Sequence, residues 1–218
     1  MDISSCKTNR IEPAVHAVPA SVVRALDIIG QLLADCGVVW LVGGSCGALL
    51  QGTPLGVVPR DLDVYVDAGE AEAVHAALHA YSVDEQAYSE TDQYGSLLSH
   101  YEIEGVQVEL VGSLQVRLDE AEYEVRIRSV LAPFAAEGTV GAATVRFMPL
   151  AHELLFNVLR ERRDRYEPLA AGMRSEPARH DPVLRVLLEG NRIGDRFAGR
   201  IGELLQAPSE GEESGGER

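Results

Sequence analysis

The sequence is poor in positive charge. Nineteen basic residues stand against thirty-four acidic ones, for a formal net charge of −15, and Lys7 is the single lysine. Nucleic-acid binding draws most of its affinity from neutralised phosphates, so a broad grip on duplex or tRNA is not expected, although a local arginine patch overrides a net value. Cysteine is also scarce. Cys6, Cys36 and Cys46 are odd in number and lack CxxC spacing, which argues against a disulfide framework and a structural zinc site. No apolar run approaches the ~20 residues of a membrane span. The opening stretch MDISSCKTNRIEPAVHAV has no signal-peptide h-region, so a cytoplasmic location is expected.

What is present suffices for a folded body. Apolar residues make up 46% of 218. Residues 18–148 read as an α+β core, 149–205 as a helical region, and 1–17 and 206–218 as disordered ends. Val22, Leu26, Ile29 and Leu33 recur at helical spacing before Gly37. The run 38–42 is wholly apolar and suits a buried strand. Further strands are expected at 61–66, 97–103, 106–111, 123–130 and 144–148. Helices are expected at 68–81, 151–165, 181–188 and 193–205.

Chemistry concentrates first in Asp61-Leu62-Asp63. In a strand, residues i and i+2 share a face, so the two carboxylates stand ~7 Å apart. Burying them together is costly unless cations neutralise them. Hard oxygen ligands suit Mg²⁺ or Mn²⁺ together with substrate phosphates, and two such ions support phosphoryl-type transfer. Glu109, between Val108 and Leu110 in an apolar strand, is the candidate third carboxylate, with Glu102 and Glu104 as rivals. Gly43-Gly44-Ser45 lies between a strand and a helix start. Glycine permits close backbone approach, the helix start presents free N–H groups to an anion, and Ser45 adds a hydroxyl donor.

The stretches WLVGGSCGALLQG, PRDLDVYVD and VQVELVG resemble the polymerase-β-type nucleotidyltransferase superfamily. The resemblance spans roughly residues 20–168. It implies a mixed sheet flanked by helices, with Gly43, Gly44 and Ser45 at the triphosphate. Asp61 and Asp63 would serve as metal ligands, and Glu109 as a shared ligand or base. Arg60 and the segment VRFMPLAHELLFNVLRERRDRYEP resemble the AbiEii-like branch. In the arginine cluster 160–165, Arg163 or Arg165 is the candidate phosphate-directed residue, and Arg60, just before Asp61, is a further candidate for binding the nucleotide. The activity implied is transfer of a nucleoside monophosphate from an NTP to a hydroxyl of a small molecule or protein. Two other readings stay open: a non-catalytic nucleotide-binding or toxin–antitoxin partner module, and a serine hydrolase. For the latter, GGSCG fits a G-x-S-x-G elbow, using Ser45 with Asp119 and His152 or His180. His75 and His79, four residues apart on one helix, have metal-capable spacing but no third ligand; His100 carries no assignment.

Overall fold

The computed structural model describes residues 9–207. Ten strands run in chain order as β1 (Asn9–Arg10), β2 (Leu41–Gly43), β3 (Asp61–Val66), β4 (Ala87–Glu90), β5 (Tyr94–Ile103), β6 (Val106–Leu118), β7 (Ala121–Glu124), β8 (Ala136–Val140), β9 (Ala143–Phe147) and β10 (Arg192–Ile193). Seven α-helices accompany them: α1 (Ala20–Leu33), α2 (Gly44–Leu50), α3 (Ala68–Leu78), α4 (Leu150–Leu159), α5 (Arg163–Ser175), α6 (Pro177–Glu189) and α7 (Asp195–Gln206). The strands join one mixed sheet in the order β1-β8-β9-β2-β3-β6-β5-β4, with β7 joined to β6 and β10. β3 lies near its centre, antiparallel to β2 and parallel to β6.

The apolar half of each central strand explains the layering. Leu62, Val64 and Val66 are almost wholly buried, as are their β6 register partners Val108 and Leu110. Gly112 opposite Val66 lies against Ala71 of α3, so this is the face that α3 covers. Helix α1 presents Val22, Ala25, Leu26, Ile29 and Leu33 to the core. Each large apolar side chain buried in this way stabilises the fold by ~1.5–3 kcal/mol. The opposite face of β3, carrying Asp61, Asp63 and Tyr65, is left to α2 and α4.

Several elements differ from expectation, each for a local reason. Residues 9–17 were expected to be disordered, yet β1 pairs with β8 and a 3₁₀ turn follows at Val15–Ala17; residues 1–8 and 208–218 lie outside the described residues. Of the run 38–42, the strand takes up only Leu41 and Val42, extending to Gly43. The strand expected at 123–130 stops at Glu124, and Ile127–Leu131 forms a π-helical turn. Asp67 accepts the N–H groups of Ile127 at 2.7 Å and Arg128 at 2.9 Å, so these donors are satisfied without a ladder. The helix expected at 151–165 is two. Glu161, with φ +56°, turns the chain between α4 and α5.

Candidate active site

Strands β3 and β6 and helices α2, α4 and α5 build one cleft of about 320 Å³, lined by Gly44, Ser45, Asp61, Asp63, Glu109, Glu153, Arg160, Arg162 and Arg165. Alternation along β3 puts Asp61 and Asp63 on the face away from α3. The parallel register sets Asp63 beside Glu109, so the third candidate carboxylate lines the same cleft. Its rivals lie elsewhere: Glu102 is exposed and Glu104 sits in a turn, accepting from Arg24 at 2.7 Å.

The Gly43-Gly44 turn explains itself at atomic scale. Gly44 adopts φ +60°, and a Cβ there would fall 1.8 Å from Oδ2 of Asp63. Only glycine lets the backbone pass so close to that carboxylate. A Cβ on Gly43 would meet the ring of Tyr65 at 2.6 Å and Oε1 of Glu153 at 2.8 Å. Glu153 itself was not anticipated. It is 3% exposed, and its Oε1 accepts the Gly44 N–H at 2.7 Å. A lone acid among Leu150, Ala151, Leu154 and Leu155 on a buried helix was the available signal.

These carboxylates are held out of water together, and their proton affinities rise. Asp63 is pushed up to about 8, chiefly by burial and then by Asp61, Glu109 and Glu153, with Arg160 opposing. Glu153 is pushed up to about 7 by burial, against the pull of the Gly44 N–H, Arg160 and Arg165. Burial also raises Glu109, with Asp61 adding to it and His100 and Arg160 opposing. Among the described residues, no three Asp, Glu, His or Cys side chains form a ready-made metal cage. Carboxylate oxygens that leave further coordination positions to substrate oxygens still match the preference of Mg²⁺ for one or two carboxylates plus phosphates.

The arginines divide sharply. Arg165 donates from Nη1 to Ser45 Oγ at 2.6 Å, and Arg160 lies 4.9 Å over the Phe156 ring. Arg163 instead faces outward, its side chain 73% exposed and bonded to Glu167. Arg60 is exposed and does not line the cleft. The partner of Ser45 Oγ is therefore a guanidinium, which cannot act as a base. His152 is bonded through Nδ1 to the Tyr123 hydroxyl at 2.6 Å, and burial pushes it down to about 3. This arrangement is not that of a serine nucleophile with its histidine. His75 is likewise engaged, with the Tyr101 hydroxyl at 2.8 Å.

No family profile and no curated protein matches this sequence. Solved structures do. A candidate nucleotidyltransferase from Thermotoga maritima is similar over 73% of this chain and 96% of its own, at 21% identity and a TM-score of 0.59. The solution structure of the antibiotic-resistance factor ANT(2'')-Ia is similar over 84% of this chain and 97% of its own, at 13% identity and a TM-score of 0.50. The chain thus has a nucleotidyltransferase-like fold, a mixed sheet flanked by helices. No helix among the described residues is long and apolar enough to cross a membrane.

Proposed function

We propose that this protein is a Mg²⁺-dependent nucleotidyltransferase that moves a nucleoside monophosphate from an NTP to a hydroxyl and releases pyrophosphate. The observation that carries this reading is the packing of Asp63 against Gly44, which joins the carboxylate pair to the glycine turn in one cleft. Divalent ions held by Asp61 and Asp63 would polarise the α-phosphate and stabilise the charge that develops there. Glu109 is the base in this reading. It takes the proton of the acceptor hydroxyl as the new O–P bond forms and the bond from Pα to its bridging oxygen breaks. Arg160 and Arg165 face the cleft and would stabilise the departing pyrophosphate. They replace Arg60 and Arg163 in that role. Gly43, Gly44 and Ser45 shape the wall against which the triphosphate lies.

The acceptor in this reading is a small molecule before a protein. A second cleft of about 870 Å³ shares Arg160 with the first and is lined by Asp92, Asp119, Glu120 and Glu161 together with Arg117 and Arg196. That lining of both signs suits a polar, hydroxylated small molecule, and the net charge of −15 disfavours a nucleic acid. Placement in the AbiEii-like branch rests on the motif around Arg60 and Asp61 and on the arginine-rich segment alone. The test is calorimetric titration of ATP, GTP, CTP and UTP with Mg²⁺ into the wild type and into Asp61→Ala/Asp63→Ala. Metal-dependent binding of at least one NTP, lost in the double variant, is expected. If no NTP binds with metal dependence, the reading fails and a non-catalytic partner module takes its place.

A further inference from the structure

Glu109 has a second neighbour that the chemistry above does not use. His100 of β5 is its register partner, so Asp63, Glu109 and His100 form one transverse row across β3, β6 and β5. His100 Nε2 lies 3.8 Å from Oε2 of Glu109. The other ring nitrogen, Nδ1, is 2.5 Å from Oδ2 of Asp84. Asp84 also accepts the backbone N–H of His100 through Oδ1 at 2.7 Å, and the Val83 N–H donates to the His100 carbonyl at 3.0 Å. Three hydrogen bonds from two adjacent residues therefore converge on a single histidine.

This grip has a direction. An ionised carboxylate only accepts, so Nδ1 carries the hydrogen and donates to Asp84. With one nitrogen committed, the ring plane is set and Nε2 is aimed across the strand pair at Glu109. At 3.8 Å this is an ion-pair distance and not yet a hydrogen bond; a small rotation of either side chain would let the neutral ring accept the Glu109 O–H, or the doubly protonated ring donate an N–H to the carboxylate. An isolated, half-exposed ion pair contributes little to stability; the two bonds from Asp84 instead satisfy the His100 backbone N–H and fix its ring together.

We propose that His100, held by Asp84, is a positioning residue that sets the orientation of the Glu109 carboxylate toward the acceptor oxygen. The assignment rests on Glu109 serving as the base. The probe is pyrophosphate release from each Mg²⁺-NTP with water as acceptor, measured beside calorimetric NTP binding. His100→Asn keeps a donor for Asp84 but cannot reach Glu109, and is expected to lower kcat by about ten-fold while the NTP KM stays within about two-fold. His100→Gln, whose amide reaches further, is expected to restore part of kcat, and Asp84→Asn to lose an intermediate amount. Unchanged kcat in His100→Asn, with the wild type binding NTP and releasing pyrophosphate, overturns this assignment alone. So does a joint fall of kcat, KM quality and thermal midpoint that His100→Gln does not relieve. A wild type that binds no NTP overturns the transferase reading and this assignment with it.

Discussion

Asp63 and Glu109 are register partners on two parallel strands, forty-six residues apart in sequence and directly adjacent in the sheet. That adjacency concentrates negative charge on one face of β3 and β6. The same face receives Gly44 from above and Glu153 from α4. The expected behaviour of the protein follows from this crowding.

Stability should depend on pH in a defined direction. Asp63 is held at about 8 and Glu153 at about 7, well above the ~4 of an unfolded carboxylate. Between those values the folded protein keeps protons that the unfolded chain has released, so stability falls as pH rises from ~4 to ~8. Below ~4 both states are protonated and the difference vanishes. Asp63→Asn cannot ionise. Scanning calorimetry should find its Tm above wild type by about 3 °C at pH 8 and close to wild type at pH 4. An equal offset at both pH values would rule out buried charge as the cause.

Gly44→Ala should be severe. Its Cβ would collide with the Asp63 carboxylate, and its φ of +60° disfavours any side chain. A loss of ~1–3 kcal/mol is expected in urea unfolding, with metal-dependent NTP binding abolished. Wild-type binding in this variant would show that the turn does not contact the nucleotide.

The two arginines separate position from composition. Arg165→Ala removes the guanidinium on Ser45 and should weaken NTP binding by about ten- to a hundred-fold in calorimetry. Arg163→Ala, which loses an exposed pair with Glu167, should stay within about two-fold of wild type. The reverse ranking would place the triphosphate on the outer face of α5.

Glu153 tests the turn from the other side. Glu153→Ala leaves the Gly44 N–H without its acceptor in a buried site, a cost of ~1–3 kcal/mol. Glu153→Gln retains an acceptor oxygen and removes the buried charge, so its Tm should equal or exceed that of wild type at pH 8. Equal destabilisation by both variants would assign Glu153 to packing.

The order of elements around the glycine turn and the Asp61-Leu62-Asp63 strand was legible because local periodicity carries it. Acidic and apolar residues alternate in β3, and Gly43-Gly44 marks a turn whatever surrounds it. The seams were less legible. Residues 123–130 have the composition of a strand, but Asp67, remote in sequence, draws Ile127 and Arg128 into a helical turn. Glu161 breaks a continuous helical pattern with a positive φ that no residue type there announces.

By itself the sequence determined which residues could carry charge on one strand face and where the backbone could approach a ligand, because strand alternation and glycine's freedom act over a few residues. The tertiary structure alone decided the membership of the cleft. Strand register brought Glu109 to Asp63 and His100 to Glu109, the docking of α5 after the Glu161 turn brought Arg165 onto Ser45, and helix packing placed Glu153 on Gly44. Apart from the His100–Glu109 pair, which belongs to the short β5–β6 hairpin, those choices depend on contacts between residues tens of positions apart, which no local pattern encodes.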